Sequence, residues 1–382
     1  MEFAYSKEQQ ELIEGLDAWL DACEFGREYF DQCYDERIYP IEFFKAFYES
    51  PFGKMGLPES IGGIPASVQD QCIISMRMGE RGFPTNVAKT MGIINVAKNG
   101  TPGQIEQCAA ATATGNVPYA LAFTEPQAGS DVGGYEASAR QEGDEVILNG
   151  KKTMIMHAGY APCMLVIAKE ESLSELSPYK AMSIYIVERD RPGVSLTPMV
   201  KIGCKMFTES EVVLDEVRIP ASNRLGEVGA GFGLMMANME VERTLVACDA
   251  YGQAYQAYKL ACRYANERIQ FGAPIGTYQL IQEKVADMHL KLELMRLQIL
   301  QTAWKKDNGI SVRIDSAETK LYAARAAFEV ADEAMQIFGG YGYYESYPVS
   351  KLWRDTRQAR LAGGTDEIMI RSVGKDVLKS FR

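Results

Sequence analysis

Residues 121–131 (LAFTEPQAGSD) form a segment whose backbone could lie close to a ligand. Pro126 and Gly129 favour a turn, and glycine lets another molecule approach the main chain closely. Thr124 and Ser130 add hydroxyl and amide groups that can form hydrogen bonds with a polar ligand. Taken alone, the segment is more typical of a hairpin turn with an exposed serine. Only further motifs elsewhere in the chain would favour a binding site.

Two charged segments could act on a substrate or bind a phosphate. Residues 239–247 (MEVERTLVA) carry Glu240, Glu242 and Arg243 in a helical stretch that begins near residue 231, and a carboxylate can accept or donate a proton. Arg268 could bind a pyrophosphate, because guanidinium donors match phosphate oxygens. Solvated charges on a helix surface are the simpler interpretation of both segments.

Cysteine and histidine chemistry has little support. The eight cysteines are scattered without a C-x-x-C pair, and His157 and His289 lie far apart. This arrangement indicates neither a zinc site nor a disulfide framework. We therefore expect reduced thiols, a cytoplasmic protein and no bound metal.

Composition narrows the class of protein. The chain has 382 residues, of which 47% are hydrophobic and 24% charged, as in globular proteins of two or three domains. A net charge of −11 argues against a nucleic-acid surface. The polar N-terminus lacks the apolar core of a signal peptide, and no apolar stretch is long enough to span a bilayer.

The elements that would position these residues fall into three zones. Residues 1–115 have helical patterning, notably at 11–20, 41–48 and 66–80, and residues 223–382 are helical again. Residues 116–222 change to strand patterning, with predicted strands at 163–168, 182–188 and 211–219 and a predicted hairpin turn at Asn149-Gly150. Neither a G-x-G-x-x-G fingerprint nor a P-loop is present.

Two long apolar stripes in the third zone predict bundle helices. Their members recur at alternating steps of four and three, and the second stripe ends at Gly339-Gly340, a plausible helix cap. Core packing explains both stripes, which also suit pairing between subunits. The stripes consist of Ile281, Val285, Met288, Leu292, Met295 and Ile299, and of Ala317, Leu321, Ala324, Phe328, Ala331, Met335 and Phe338. The predicted fold class is α+β and multidomain: an N-terminal helical domain, a central antiparallel β-domain and a C-terminal four-helix bundle.

Three motifs in this order resemble the acyl-CoA dehydrogenase family across nearly the whole chain. The first is the 121–131 segment, the second is RIQFGAPI (268–275) followed by QLIQ (279–282), and the third runs from QIFGGYG (336–342) to GGTDE (363–367). Within the family the chain is most similar to the crotonobetainyl-CoA reductases. The resemblance implies an FAD-dependent enzyme for acyl-CoA or enoyl-CoA thioesters, a homotetramer or homodimer, and electron-transfer flavoprotein as redox partner.

The resemblance also implies which residues bind the cofactor and the substrate. One group would contact the flavin and the acyl-CoA, and a second group would contact the dinucleotide of a neighbouring subunit. Thr365 and Glu367 would also touch the dinucleotide, while Ser130, Glu240 and Arg243 would face the substrate. The first group is Phe123, Thr124, Gly129 and Ser130, and the second is Arg268, Gln270, Phe271, Gln336, Gly339 and Gly340.

The position of the catalytic carboxylate differs between branches of the family. Many members carry it just before the Gly-Thr of the last motif, where this chain has Gly363. Others carry it on an earlier helix, before an arginine, which matches Glu242 and Arg243. Glu242 is therefore the expected acid/base at the α-carbon of the acyl group, with Glu240 as the alternative. The backbone N–H of Gly363 could still donate to the thioester oxygen, since that role needs no side chain.

Two departures from the family pattern lie near the expected flavin. Where relatives carry Trp or Phe and then a Thr that bonds flavin N5, this chain has Met154 and Met156. A thioether is a weak acceptor and cannot donate a hydrogen bond, which predicts an altered N5 environment. His157 could substitute for the hydroxyl, although a neutral histidine in a turn is the simpler interpretation.

Three functions are compatible with the sequence. The first is hydride transfer between FAD and the acyl β-carbon, in the direction of enoyl-CoA reduction. The methionine departures motivate the second, a non-catalytic subunit that binds FAD or CoA, and Glu242 argues against it. The third, an acyl-CoA oxidase, is disfavoured because the chain is too short for the extra C-terminal domain of the oxidases.

Overall fold

A computed structural model describes residues 4–85, 87–114 and 117–382, with the backbone alone at 87–91. The helices are α1 (Lys7–Ala22), α2 (Arg27–Glu36), α3 (Ile41–Glu49), α4 (Pro51–Lys54), α5 (Val68–Arg81), α6 (Val87–Asn99), α7 (Pro102–Ala113), α8 (Gly231–Met236), α9 (Met239–Glu267), α10 (Gln279–Asp307), α11 (Asp315–Phe338), α12 (Pro348–Thr356) and α13 (Asp366–Ser380). The strands are β1 (Tyr119–Ala122), β2 (Ser138–Glu142), β3 (Glu145–Met156), β4 (Cys163–Glu170), β5 (Met182–Glu188), β6 (Val194–Met199), β7 (Glu209–Pro220), β8 (Arg224–Leu225), β9 (Ile269–Gln270) and β10 (Ala273–Pro274).

The N-terminal helices α1, α3 and α5 confirm the three helices expected in the first zone. Ser6 and Gln9 form a reciprocal capping box that fixes the start of α1. Its apolar side packs into an aromatic core, where Phe43 and Phe44 are fully buried. The Arg77 guanidinium of α5 donates to the Asp17 carboxylate of α1 at 2.6 Å. These helices therefore form one packed layer.

The middle zone is an eight-stranded sheet in the order β6-β7-β3-β2-β4-β5-β8, with β1 also paired to β4. The three predicted strands are confirmed as β4, β5 and β7. The sheet is mixed, because β1 and β2 both pair with β4 in parallel while the other pairings are antiparallel. Strand β4 is buried along almost its whole length, as expected of a strand covered on both faces.

The predicted hairpin at Asn149-Gly150 is wrong. Strand β3 continues through both residues, and its pairing with β7 shifts register there. The Asn149 amide exchanges two hydrogen bonds with Glu216 of β7, at 2.6 and 2.8 Å, so it joins two strands. Gly150 is required because a Cβ would lie 2.6 Å from that of Ala137. The turn itself is at Gly143, with φ of 61°.

The C-terminal helices α9, α10, α11 and α13 confirm the helical bundle, and α5 of the first zone packs against α9. The two apolar stripes lie on α10 and α11. The central residues of the α10 stripe are buried in the bundle core, whereas in the α11 stripe Leu321 and Phe328 are half-buried and only Ala331 and Phe338 belong to the buried core. Helix α11 ends at Phe338, and Gly339 follows with φ of 59°, which confirms the expected cap. The predicted domain boundary at 115/116 lies outside the described residues, and the boundary at 222/223 stays a prediction.

Within the described residues, no helix has the length and apolar character needed to cross a membrane.

Candidate active site

Glu242 lies in the first turn of α9, where its backbone N–H bonds to the Asn238 carbonyl at 3.0 Å. The residue is half-buried, yet its Oε2 atom is enclosed by protein and has no hydrogen-bond partner among the described residues. Burial raises the pKa of this carboxyl to about 7, although the neighbouring Arg243 works to lower it. A carboxyl in this environment can exchange a proton near neutral pH.

Gly363 lies beside the same helix. It has φ of 64°, and a Cβ built on it would lie 3.8 Å from Val246 Cγ2, one turn beyond Glu242. The Arg243 Nε donates to the Gly363 carbonyl at 3.5 Å. In the described part of the chain, the Gly363 N–H has no acceptor. The structure therefore brings the two residues predicted to be catalytic onto neighbouring backbone segments.

Glu240, the alternative carboxylate, is paired elsewhere. Lys306 of α10 donates to its Oε2 at 2.7 Å. Two residues along an α-helix correspond to a rotation of about 200°, so Glu240 and Glu242 point to nearly opposite sides of α9. This geometry separates Glu240 from the Gly363 side.

The 121–131 segment is a tight turn attached to the sheet by a buried ion pair. Backbone hydrogen bonds join Glu125 and Ala128 in both directions, at 3.0 and 3.1 Å. Lys152 of β3 donates to Glu125 at 2.6 Å and to the Phe123 carbonyl at 3.1 Å. Gly129 and Ser130 are exposed on this turn. Thr124 is half-buried, and its carbonyl accepts from the N–H of Thr153.

The charges of this ion pair support one another. Burial works to raise the pKa of Glu125, but Lys152 and two backbone amides hold it below its usual value. Burial lowers the pKa of Lys152 to about 8 against the opposing effect of Glu125. The Phe123 side chain is buried in the core below the turn. The turn is thus held by the sheet, with its tip facing outward.

Met154 and Met156 lie at the end of β3. Met154 is 54% exposed and has φ of 56°, at a second register shift between β3 and β7. Met156 is half-buried and pairs with Glu209. The His157 ring packs against Tyr39 and Phe207 in an aromatic core, and the residue lies in a turn after β3, as expected.

Two sets of contacts bring the three zones together around this region. Met239, at the start of α9, packs against the core that contains Phe123. Gln358, shortly before Gly363, donates to the Glu209 carboxylate at 3.4 Å, and Glu209 is the strand partner of Met156. The start of α9 therefore packs on the core below the turn, and the segment that precedes Gly363 contacts β7 opposite the end of β3.

Arg268, Gln270, Gly339 and Gly340 lie together at the opposite end of α9. They line a pocket of about 440 Å³, in which the Arg268 guanidinium lies 5.7 Å from the centre of the Tyr341 ring. A Cβ on either glycine would meet nothing within 4 Å, so this surface is open. With a rise of about 1.5 Å per residue, Arg268 is about 39 Å from Glu242 along the helix. Within one chain, the pocket at Arg268 is therefore too far from Glu242 for both to line the same site.

The remaining predicted residues lie either near Gly363 or near the Arg268 pocket, and they do not enclose a cavity within one chain. Gln336 is exposed on the last turn of α11, and Phe271 is 97% exposed at the tip of the β9-β10 hairpin. The Thr365 hydroxyl caps α13 by accepting from the Ile368 N–H at 3.4 Å. Glu367 is exposed in the first turn of the same helix.

Several residues that shape this region were missed by the sequence reasoning. Lys152 and Glu125 are ionic residues 27 positions apart, and the local sequence does not distinguish the buried Lys152 from the exposed Lys151 beside it. Lys320 is fully buried and donates to the Gly364 carbonyl at 2.5 Å, and burial lowers its pKa to about 8. Its spacing of three residues from Ala317 and four from Ala324, which are both buried, could have identified it as a lysine on the buried side of α11.

Comparison with known proteins follows the same zones. Residues 120–217 match the acyl-CoA dehydrogenase middle domain, and residues 229–378 match the acyl-CoA dehydrogenase C-terminal domain. The probable acyl-CoA dehydrogenase YdiO of Escherichia coli (strain K12) is 40% identical over 384 residues, covering 100% of both chains.

Solved structures show the same fold. Butyryl-CoA dehydrogenase from Megasphaera elsdenii is 27% identical, with a TM-score of 0.87 over 99% of this chain and 100% of that chain. A chain described with the electron transferring flavoprotein of Acidaminococcus fermentans is 27% identical, with a TM-score of 0.90 over 99% and 100%. The chain therefore belongs to the acyl-CoA dehydrogenase family, FAD-dependent oxidoreductases that act on CH–CH groups.

Proposed function

We propose that this protein reduces an α,β-unsaturated acyl-CoA, with Glu242 delivering the proton to the α-carbon. The observation that carries the proposal is the enclosed Glu242 Oε2, whose carboxyl has a pKa raised to about 7 by burial. At neutral pH a substantial fraction of this group holds a proton, as the acid in the reductive direction must. In the oxidative direction the same group, ionised, would remove that proton.

The thioester oxygen needs a donor when negative charge develops on it. The N–H of Gly363 is suited to this, because among the described residues nothing accepts from it and its segment lies beside α9. A preorganised backbone donor of this kind stabilises an enolate without a side chain. Arg243 positions the segment by donating to the Gly363 carbonyl.

The residues present fit FAD. The exposed tip of the 121–131 turn offers Thr124 and Ser130 next to glycine, and Gly339 and Gly340 leave open surface beside Arg268. We assign Phe123, Thr124, Gly129, Ser130, Met154 and Met156 to the flavin side, and Arg268, Gln270, Phe271, Gln336, Gly339, Gly340, Thr365 and Glu367 to the dinucleotide. When bound, FAD supplies hydride exchange with the β-carbon of the acyl group.

One site would take residues from two copies of the chain. The pocket at Arg268 is about 39 Å from Glu242 along α9, so it serves the site of a second copy. Exposed leucines on α10, namely Leu290, Leu294 and Leu297, offer an apolar face for self-association. We propose a homotetramer or homodimer, which light scattering would report as a multiple of 42.4 kDa.

The physiological setting completes the proposal. Resemblance to the crotonobetainyl-CoA reductases supports the reductive direction, an electron-transfer flavoprotein as redox partner and a cytoplasmic location. The scattered cysteines, all free in the structure, agree with a reducing compartment.

The decisive experiment measures turnover of a panel of enoyl-CoA thioesters by the FAD-loaded protein with a reduced dye as electron source. Glu242→Gln keeps the shape of the side chain but cannot deliver the proton, so we expect kcat to fall by about 10²–10⁴-fold. Glu240→Gln is the matched control, since Glu240 sits two residues away against Lys306. Equal losses in both variants, or full turnover by Glu242→Gln, would contradict the role of Glu242.

A non-catalytic FAD-binding or CoA-binding subunit is the second candidate. Met154 and Met156 favour it, because they stand where relatives carry an aromatic residue and a hydroxyl beside the flavin. It would hold if the wild-type protein retains FAD and CoA thioesters but turns over none of the panel in either direction.

A further inference from the structure

The segment that carries the proposed thioester donor has no side chains of its own to hold it. Gly363 and Gly364 are consecutive glycines with φ of 64° and 97°, both in the left-handed region. Glycine gives the backbone more freedom than any other residue, so a donor placed here needs contacts from other elements to fix its direction. The direction of the Gly363 N–H therefore depends on what binds the carbonyls of these two glycines.

Lys320 of α11 provides the shorter of two such contacts. Its ammonium group donates to the Gly364 carbonyl at 2.5 Å, and the Arg243 guanidinium of α9 donates to the Gly363 carbonyl at 3.5 Å. The two cations belong to different helices and bind successive carbonyls. Together they restrict the rotation of both peptide groups that follow the Gly363 N–H.

The position of Lys320 is unfavourable for folding alone. The residue is fully buried, and no salt bridge reaches it within the described residues. Asp366, whose charge acts on Lys320, is bound instead by Arg325 and Arg360. A buried ammonium group loses the water that stabilises its charge, and an apolar side chain would fill the same space without that loss. A lysine here therefore indicates a role at the glycine segment beyond core packing.

We propose that Lys320 is a positioning residue for the enolate, because it holds the two glycines so that the Gly363 N–H points at the thioester oxygen. The inference rests on the proposed function, which gives the donor role to Gly363. A donor that is already in place stabilises the developing negative charge without reorganisation. The ammonium group binds the residue next to the donor, so its charge favours the enolate as well. Lys320 itself neither touches the substrate nor transfers a proton.

The test measures how well the FAD-loaded protein stabilises a bound enolate, with acetoacetyl-CoA as the probe. This β-keto thioester releases an α-proton without turnover, and its enolate absorbs in the near ultraviolet, so difference absorbance gives the enolate-to-keto ratio. Lys320→Met keeps the length of the side chain but removes the donor and the charge. We expect the ratio at a fixed pH to fall by about tenfold. Lys320→Gln, which keeps a neutral donor, should give an intermediate ratio.

Hydrogen exchange measures the positioning itself, without any ligand. The backbone N–H groups of Ala362 and Met369 are hydrogen-bonded on either side of the glycines, to Gln358 at 3.0 Å and to Thr365 at 3.1 Å. Lys320→Met should increase their exchange rates, because the glycine segment between them loses a contact to α11.

Thr319→Val is the matched control on the same helix. It removes the buried hydrogen bond between the Thr319 and Thr302 hydroxyls, which are 2.7 Å apart, and it leaves Lys320 in place. The control should change neither the enolate ratio nor exchange beside the glycines. An equal fall of the ratio in Thr319→Val would overturn the proposal, since the effect would then follow from the packing of α11.

An unchanged enolate ratio in Lys320→Met would also overturn the proposal, and the exchange rates then identify the part that fails. Faster exchange with an unchanged ratio would mean that the Gly363 N–H does not bind the thioester oxygen, so the proposed function fails at that step. Unchanged exchange with an unchanged ratio would mean that Lys320 does not hold the segment, and the donor role of Gly363 would stand. Neither measurement depends on proton delivery by Glu242.

Discussion

The turn at residues 121–131 and the start of α9 each contain a buried carboxyl group, and the two groups differ in their hydrogen-bond partners. In the turn, the buried Glu125 carboxylate accepts from Lys152 and from the backbone N–H groups of Glu136 and Ala137, at 2.6, 2.6 and 3.0 Å. At the start of α9, the Glu242 Oε2 is enclosed without a partner in the described part of the chain. Both are carboxylates in a protein interior, yet the pKa of one is lowered and that of the other is raised to about 7.

The difference distinguishes a carboxylate that holds the turn in place from a carboxyl that we propose exchanges a proton with the substrate. A buried charge with several donors is fixed in one protonation state and holds its surroundings in place. A buried carboxyl without donors is poised between two protonation states and can exchange a proton with a substrate. Buried polar groups without partners are rare, so the contrast supports the proposal that Glu242 is the acid/base.

Breaking the ion pair in the turn should have the largest effect. Lys152→Met would leave the Glu125 charge buried without a cation, and we expect a loss of about 3–5 kcal/mol in the free energy of unfolding. Urea titration followed by circular dichroism measures it. Adding Glu125→Gln should recover part of the loss. Arg218→Met, which breaks exposed pairs with Glu142 and Glu145, should leave the free energy of unfolding almost unchanged. Similar losses in both single variants would contradict the structural role of the pair.

The pH dependence of the rate tests the proposed role of Glu242. Enoyl-CoA reduction needs protonated Glu242, so kcat should fall above pH about 7, approaching tenfold per pH unit. Oxidation of the saturated thioester needs the ionised form and should rise through the same pH. The residual rate of Glu242→Gln should lack this dependence. A reductive rate that rises with pH through neutrality would show that another group supplies the proton.

The sequence was sufficient for elements whose pattern is local. Helices α10 and α11 and the central strands were predicted because burial repeats at a fixed period within each element. Glu242 was identified by its position before Arg243 in a family motif. The hairpin at Asn149-Gly150 was wrongly predicted because the turn preference of this dipeptide competes with Glu216, a partner 67 residues away that holds Asn149 within a strand.

The contacts that could not be predicted join residues that lie far apart in the sequence. Nothing in the local pattern pairs Lys152 with Glu125. The pattern also does not show that Lys306 contacts Glu240 and not Glu242. Such properties arise from packing between elements and become visible only in the fold.

Removing the unpaired charge should stabilise the protein at high pH. The pKa of Glu242 is raised from 4.5 to about 7 in the folded state. As pH rises through this window, the unfolded chain releases a proton that the folded chain retains, so stability falls and then levels above pH 7. Glu242→Gln lacks this loss, and we expect it to be about 2 kcal/mol more stable than wild type at pH 8 and similar at pH 4. Urea titration at both pH values without substrate measures the difference. A variant less stable at pH 8 would indicate that the carboxylate has a partner.

The smallest effect should come from giving the flavin side of the site a hydroxyl. A thioether can accept a hydrogen bond weakly but cannot donate one, so Met156 can serve the N–H of reduced flavin and not the lone pair of oxidised N5. Met156→Thr adds a donor that favours the oxidised state. One hydrogen bond of about 1 kcal/mol corresponds to a fall of about 20 mV in the two-electron potential, which dye-coupled titration of the bound flavin measures. Met199→Thr, on the strand next to β7, is the control for a nearby loss of sulfur and should leave the potential unchanged. An unchanged potential in Met156→Thr would mean that the residue at this position does not contact N5.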